Sequence, residues 1–139
     1  MSQPVTPNLR RRAETLIEAI NTRDFEGIAG MRWLDPEFEF RSALSATEGE
    51  FHVGAAGLRE WKESMDSVWA NFRVEMVDLR ELNDGRAVVI YRATGEGRGS
   101  GVPLDTRTGQ VWTFRDGKLW RNQSYLDPRE ALEAVGLSE

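Results

Sequence analysis

The sequence predicts an α+β fold in which helices lie on one face of a curved antiparallel sheet. Three observations carry this reading. Apolar residues recur at helical spacing near the start of the chain and again in its middle. From Phe72 onward the period drops to two, and Gly109 to Pro128 reads as a long hairpin around Arg115-Asp116-Gly117.

In order along the chain, Leu9, Ala13, Leu16, Ile17 and Ile20 fall on one stripe of an amphipathic helix, with Arg10, Arg11, Glu14 and Glu18 on the opposite side. Asp24 is placed to cap a second, shorter helix carrying Phe25, Ile28 and Ala29 and ending near Gly30. Asp35-Pro36 stops the helical pattern, and residues 37 to 42 alternate charged with apolar, which puts Phe38 and Phe40 on one face of a strand. Residues 43 to 53 read as a loop. Leu58, Trp61, Met65, Val68 and Trp69 then form a helical stripe within residues 54 to 71, a pattern that belongs to a core rather than to a cofactor box.

A strand to Leu82 follows, then a turn at Asn83-Asp84-Gly85 and a strand from Ala87 that runs into GEGRGSG at 95 to 101. That glycine run lacks the Lys-Ser/Thr and the following helix of a phosphate loop, so it reads as a strongly bent strand. A third strand enters the hairpin. At the end, Asp127 as N-cap, Pro128 at the first helical position and Glu130 predict a short helix to Val135, closed by Gly136.

The hairpin admits two registers. A two-residue loop, Asp116-Gly117, sets Trp112 opposite Arg121 and mixes Phe114 and Leu119 with Arg121, Gln123 and Tyr125 on one face, which is awkward to bury. A three-residue loop with a left-handed Gly117 sets Trp112 opposite Trp120 and Gln110 opposite Asn122. The second is preferred: its inner face carries Gln110, Trp112, Phe114, Trp120, Asn122 and Ser124, and its outer face Val111, Thr113, Arg121 and Tyr125.

The composition narrows the function. The chain has 139 residues, 40% hydrophobic and 29% charged, as in an ordinary globular protein, and is read as one domain over 1–139 with 1–7 as a flexible tail. A net charge of -5 leaves no basic field for nucleic acid. There is no cysteine, hence no disulfide, thiol nucleophile or thiolate metal site. The opening MSQPVTPNLRRR has no apolar run before its basic residues, and no later stretch is apolar enough to span a bilayer, so neither a signal peptide nor membrane attachment is expected and the location is read as cytoplasmic. No cofactor and no metal are expected, because one histidine makes a poor metal site.

The short helix opened by Asp24-Phe25-Glu26-Gly27, the strand begun by Asp35-Pro36, the segment Gly57-Leu58-Arg59-Glu60-Trp61 and the closing QVWTFRDGKLWRNQSYLDPREALEAVGL together resemble SnoaL-like domains, members of the nuclear transport factor 2-like superfamily. The resemblance covers nearly the whole chain and rests on the order and spacing of these segments. It implies a cone-shaped α+β barrel, with the bent sheet wrapped around the N-terminal and middle helices. It also implies a cavity between sheet and helices and a homodimer through the outer sheet face.

Relatives of that family include polyketide cyclases, ketosteroid isomerases and limonene epoxide hydrolases. Carried over by position, the isomerase base falls on Ser42 or its neighbour Arg41, the tyrosine on Leu16 and the second acid on Gln110; none is kept. The epoxide hydrolase set falls approximately on Asp105, Arg107 and Ser124, with one acid missing. The resemblance sends Val88, Ile90, Arg92, Thr94 and Glu96 inward and Tyr91 outward.

The resulting expectation is a protein that binds a small hydrophobic molecule without a known reaction. Its ligand site is read as Phe40, Ser42, Trp61, Arg92, Gln110, Trp112, Trp120 and Asn122, with Arg92 as anchor for an anionic or carbonyl group. The alternative is an enzyme of the cyclase, isomerase or epoxide hydrolase type with a non-standard set: His52 or Glu96 as base and Arg92 as oxyanion stabiliser. Against that set, no carboxylate can be assigned to orient His52, which reads as a loop residue.

Overall fold

A computed structural model describes residues 9–42 and 51–137. The elements are α1 (Leu9–Asn21), α2 (Phe25–Ala29), β1 (Leu34–Arg41), β2 (Phe51–Val53), α3 (Gly54–Val68), β3 (Trp69–Glu81), β4 (Ala87–Gly97), β5 (Pro103–Arg115), β6 (Lys118–Tyr125) and α4 (Pro128–Ala134). The strands make one six-stranded sheet in the order β2-β1-β6-β5-β4-β3. β1 and β6 run parallel and every other neighbouring pair antiparallel, so the sheet is mixed. It curls around the helices without closing, an open α+β cone.

The stripe of α1 is buried at all five expected positions. The helix ends in a Schellman motif, with the Arg23 amide bonded to the Ile20 carbonyl at 3.1 Å and the Asp24 amide to that of Ala19 at 2.8 Å. Asp24 then caps α2 by accepting from the Gly27 amide at 3.0 Å. Along α3, Leu58 and Met65 are buried, while Trp61 sits half-buried against Phe25 and Phe40 with ring centroids 5.1 and 5.6 Å away.

Several boundaries differ from the sequence reading. β1 begins at Leu34, and Pro36, which has no N–H, lies in the irregular stretch between Leu34 and Glu39 where pairing with β6 shifts register. Phe51–Val53 is a strand rather than loop, paired to β1 with His52 opposite Phe40; the rest of the expected loop, 43–50, and the expected tail, 1–7, lie outside the described residues. Trp69 starts β3 instead of ending α3. β3 then kinks at Asn71, whose φ is 54°, and Gly95 answers it on β4, where a Cβ would stand 3.0 Å from the Ala70 carbonyl oxygen.

The hairpin adopts neither expected register. Asp116 and Gly117 both have positive φ, 52° and 77°, as a type I′ two-residue turn requires, and Phe114 pairs with Leu119. Beyond it Trp120 is an extra residue: pairing slips between Thr113 and Phe114, and Thr113 then faces Arg121. This bulge restores the phase. Trp112 lies opposite Asn122 and Gln110 opposite Ser124, so those four share the inner face, while Arg121 turns outward to Glu39 at 2.6 Å. The tight turn therefore coexists with a buriable face. Outside, Val111 and Tyr125 pack with Val88 and Ile90 beneath Ala131 and Leu132 of α4.

Candidate functional site

Between the inner sheet face and α1, α2 and α3 lies a cavity of about 50 Å³. Its apolar wall comes from Leu16, Ile20, Phe40, Leu58 and Trp61; its polar wall from Ser42, Tyr91, Gln110, Asn122 and Ser124. An adjoining lobe of about 40 Å³ shares Ser42, Trp61, Tyr91, Gln110 and Ser124 and reaches Met65, Phe72 and Thr108. Together they admit a few water-sized groups.

Gln110 organises the polar wall. Its Oε1 accepts from Tyr91 Oη at 2.5 Å, Trp112 Nε1 at 3.0 Å and Asn122 Nδ2 at 3.0 Å, and its Nε2 donates to Ser124 Oγ at 3.0 Å. Burial pushes the Tyr91 phenol well above its ordinary pKa, which the Trp112 N–H only partly offsets, so Tyr91 stays neutral and donates. Three buried atoms of residues that border the cavity have no hydrogen-bond partner: Asn122 Oδ1, Trp61 Nε1 and Arg41 Nε, the last on a guanidinium that lies over the Phe51 ring.

Of the expected ligand residues, Phe40, Ser42, Trp61, Gln110 and Asn122 meet at the cavity. Trp112 is fully buried and acts through its N–H on Gln110 rather than lining the space. Trp120 is not at the site. As the bulge residue it faces outward, between the guanidiniums of Arg115 and Arg121 at 4.7 and 4.8 Å.

Arg92 and Glu96 are also misplaced by the sequence reading. Arg92 points outward and is held by Asp105 at 2.8 Å and Glu75 at 3.3 Å, chiefly the former, which raises its pKa further. Glu96 is exposed and accepts from Asn71 Nδ2 at 2.8 Å. The face of β4 is the reverse of that expected: Ala87, Val89, Tyr91 and Ala93 join the core beneath the helices, and Val88 and Ile90 lie under α4. Tyr91 is thus the site residue that the sequence reading turned away. The available signal was charge, since an unpaired arginine is costly inside and Arg92 therefore sets the outer phase of the strand.

His52 is buried, on β2, with 5% exposure. Its ring stacks on Phe40 at 5.1 Å, and Nδ1 lies 3.9 Å from Glu60 Oε1, so a carboxylate partner does exist. It stands beside the cavity, one strand beyond Phe40, rather than in its lining. Arg41 borders the cavity, but its guanidinium lies 4.4 Å from the Phe51 ring on the outer face. Asp105 and Arg107 are likewise exposed outside. Among the described residues, no carboxylate, histidine or lysine lines the cavity, and no three His, Asp or Glu residues gather as a metal site. Among the described residues, no helix is long and apolar enough to cross a membrane. What the wall supplies is neutral hydrogen bonding inside an apolar enclosure.

Solved structures share this architecture. A nuclear transport factor 2-like protein of unknown function from Burkholderia pseudomallei superposes with a TM-score of 0.73 at 17% identity, covering 94% of this chain and 99% of its own. A hypothetical protein with a ketosteroid isomerase-like fold from Catenulispora acidiphila, in complex with trimethylamine, gives 0.69 at 15% identity over 96% and 95%. A protein from Xanthomonas campestris named as a candidate polyketide cyclase gives 0.66 at 18% over 89% and 93%. No curated protein matches the sequence. In sequence, the SnoaL-like domain family matches residues 13–122. With that match over most of its length, and with the open α+β cone it shares with nuclear transport factor 2-like structures, the chain belongs to the SnoaL-like domain family.

Proposed function

We propose that this protein binds a small hydrophobic molecule in the cavity between sheet and helices and orients it by neutral hydrogen bonds. The observation that carries the reading is that two of the unused polar atoms at the cavity belong to neutral side chains, Asn122 Oδ1 and Trp61 Nε1. A buried polar atom without a partner costs about 1–3 kcal/mol, and native proteins seldom tolerate it without a reason. One is an acceptor and the other a donor. A ligand carrying a carbonyl near a hydroxyl or N–H satisfies both, while Phe40, Leu16 and Leu58 take its apolar part. Among the described residues Arg41 is the one ionised side chain that borders the space, and its guanidinium lies over the Phe51 ring, so a neutral ligand suits the wall better than an ion.

The test is a thermal-shift screen of neutral hydrophobic carbonyl compounds against the wild type and Trp61→Phe, which keeps an aromatic ring and removes the N–H. Compounds that raise Tm in the wild type and do so less in Trp61→Phe support the reading. A library without a single stabilising compound, or equal shifts in both proteins, would sink it.

A second reading, an enzyme of the polyketide cyclase type, is favoured by one feature: His52 is buried on the inner face with Glu60 within 3.9 Å. Incubating any ligand from the screen with the wild type and with His52→Gln, followed by mass spectrometry, separates the two. Conversion that needs His52 selects the enzyme; recovery of unchanged ligand from both selects the binding protein.

A further inference from the structure

We propose that a surface groove beside Phe72, distinct from the cavity and independent of its ligand, binds a small dianion, either a phosphate ester or a dicarboxylate. The groove is an open concavity of about 780 Å³ at the junction of the α1–α2 turn, the end of α3 and the kink of β3. Arg23, Arg73 and Arg98 line it, with Asp66 as the one acid among its lining residues. On a chain whose net charge is -5, three guanidiniums around one carboxylate are a local reversal of sign. Asp66 is moreover shared with Lys62, whose Nζ lies 3.0 Å away, so it does not neutralise the group.

Each arginine is placed by a different device. Arg98 donates from Nε to the Asp66 carbonyl at 2.6 Å and from Nη2 to that of Trp69 at 3.2 Å. Those bonds to the end of α3 fix the plane of the guanidinium without cancelling its charge. Arg73 stands exposed on β3 with no ion pair or hydrogen bond among the described residues. Arg23 is the most telling. It occupies the left-handed position of the Schellman motif, φ 62°, where helix termination favours glycine. Its guanidinium nevertheless reaches back over the groove, 5.8 Å from the Phe72 ring centre and 3.5 Å from Asp66. The chain thus keeps a long side chain at a backbone position that favours glycine. Arginine forks suit phosphate and carboxylate oxygens, which they engage in pairs, and a dianion matches the excess of positive charge.

The experiment is calorimetric titration of the full chain at low ionic strength with inorganic phosphate, succinate and, as monoanion control, acetate. The proteins are the wild type, Arg73→Gln and Arg23→Gly. The expected result is one saturable site with Kd of ~1 mM or tighter for phosphate or succinate, weakened about tenfold in each variant, with acetate far weaker. Preference for phosphate assigns a phosphate ester, and preference for succinate a dicarboxylate. Arg23→Gly should melt no lower than the wild type, because glycine relaxes the left-handed backbone, so loss of binding there cannot be blamed on unfolding. Arg73→Gln, which removes an unengaged side chain, serves the same purpose. Absence of saturable heat with both dianions, equal affinity for acetate, or unchanged affinity in both variants would overturn the proposal.

Discussion

Replacing Gln110 by leucine removes the acceptor that Tyr91, Trp112 and Asn122 all use, while keeping nearly the same side-chain volume. Those three donors are 4%, 0% and 7% exposed, so bulk water does not reach them, and of the three only Tyr91 and Asn122 border the cavity. At about 1–3 kcal/mol for each buried donor left unpaired, less some gain from the added apolar surface, the loss comes to roughly 3 kcal/mol. A domain of this size is stable by only about 5–15 kcal/mol, so the effect is large. Urea denaturation followed by tryptophan fluorescence should show the midpoint falling by about 1–2 M at an unchanged slope. Tyr91→Phe supplies the cross-check. Alone it should cost about 1 kcal/mol, and in the Gln110→Leu background it should cost nothing or stabilise, because the hydroxyl it removes is already unpaired. A loss below about 1 kcal/mol for Gln110→Leu, or the same Tyr91→Phe cost in both backgrounds, would refute the network as the organiser of the polar wall.

Gly117→Ala should destabilise by about 1 kcal/mol, read as a lowered Tm, since Gly117 holds φ 77° in the type I′ turn. Deleting Trp120 removes the extra residue and leaves Phe114 opposite Leu119 and Thr113 opposite Arg121, so Asn122 and Ser124 stay inward and near-ultraviolet dichroism should show that fixed tertiary packing is retained. Acid should destabilise the protein. Asp35 is held below the ordinary carboxylate range, chiefly by the Glu37 amide with help from Arg115, and Asp105 is held there chiefly by Arg92. A depressed folded-state pKa gives stability that is complete above the unfolded value near 4 and fades as pH drops below it. Asp35→Asn should flatten that decline, as measured by Tm between about pH 5 and pH 3.

The helices were legible because each has one apolar stripe and, at Asp24 and Asp127, a capping carboxylate. On sequence alone the two-residue turn at Asp116-Gly117 gives way to a three-residue loop, because the bulge that makes its face buriable is not legible: Trp120 is neither glycine nor proline, and nothing local marks a tryptophan as the extra residue. Phe40 emerged from the alternation of charged and apolar residues in β1 and Trp61 from the helical stripe of α3, while Gln110 and Asn122 fall on the inner face in the expected register and in the observed one alike. On β4 the alternation fails at its start, where Ala87, Val88, Val89 and Ile90 are apolar on both faces because α4 covers the outside, so Tyr91 and Arg92 were assigned to the wrong sides. β2 is three residues long, too short for any period to show, and His52 was therefore read as loop.

The parallel pairing of β1 with β6 bears on how the molecule comes together. Glu39 and Arg121, joined across it, are 82 positions apart in sequence, whereas β3 to β6 form a meander of neighbours closed by short turns. Contacts between distant segments must pay a loop-closure entropy that hairpins largely avoid. The meander is therefore the natural first-formed unit, and β1 with β2 and the helices that flank them the last to dock. Phe40, Ser42, Trp61 and His52 all arrive with that late half, while Tyr91, Gln110, Asn122 and Ser124 belong to the early one. The cavity is then a seam between two folding units, and its amides and hydroxyls are in place before the aromatic wall closes over them.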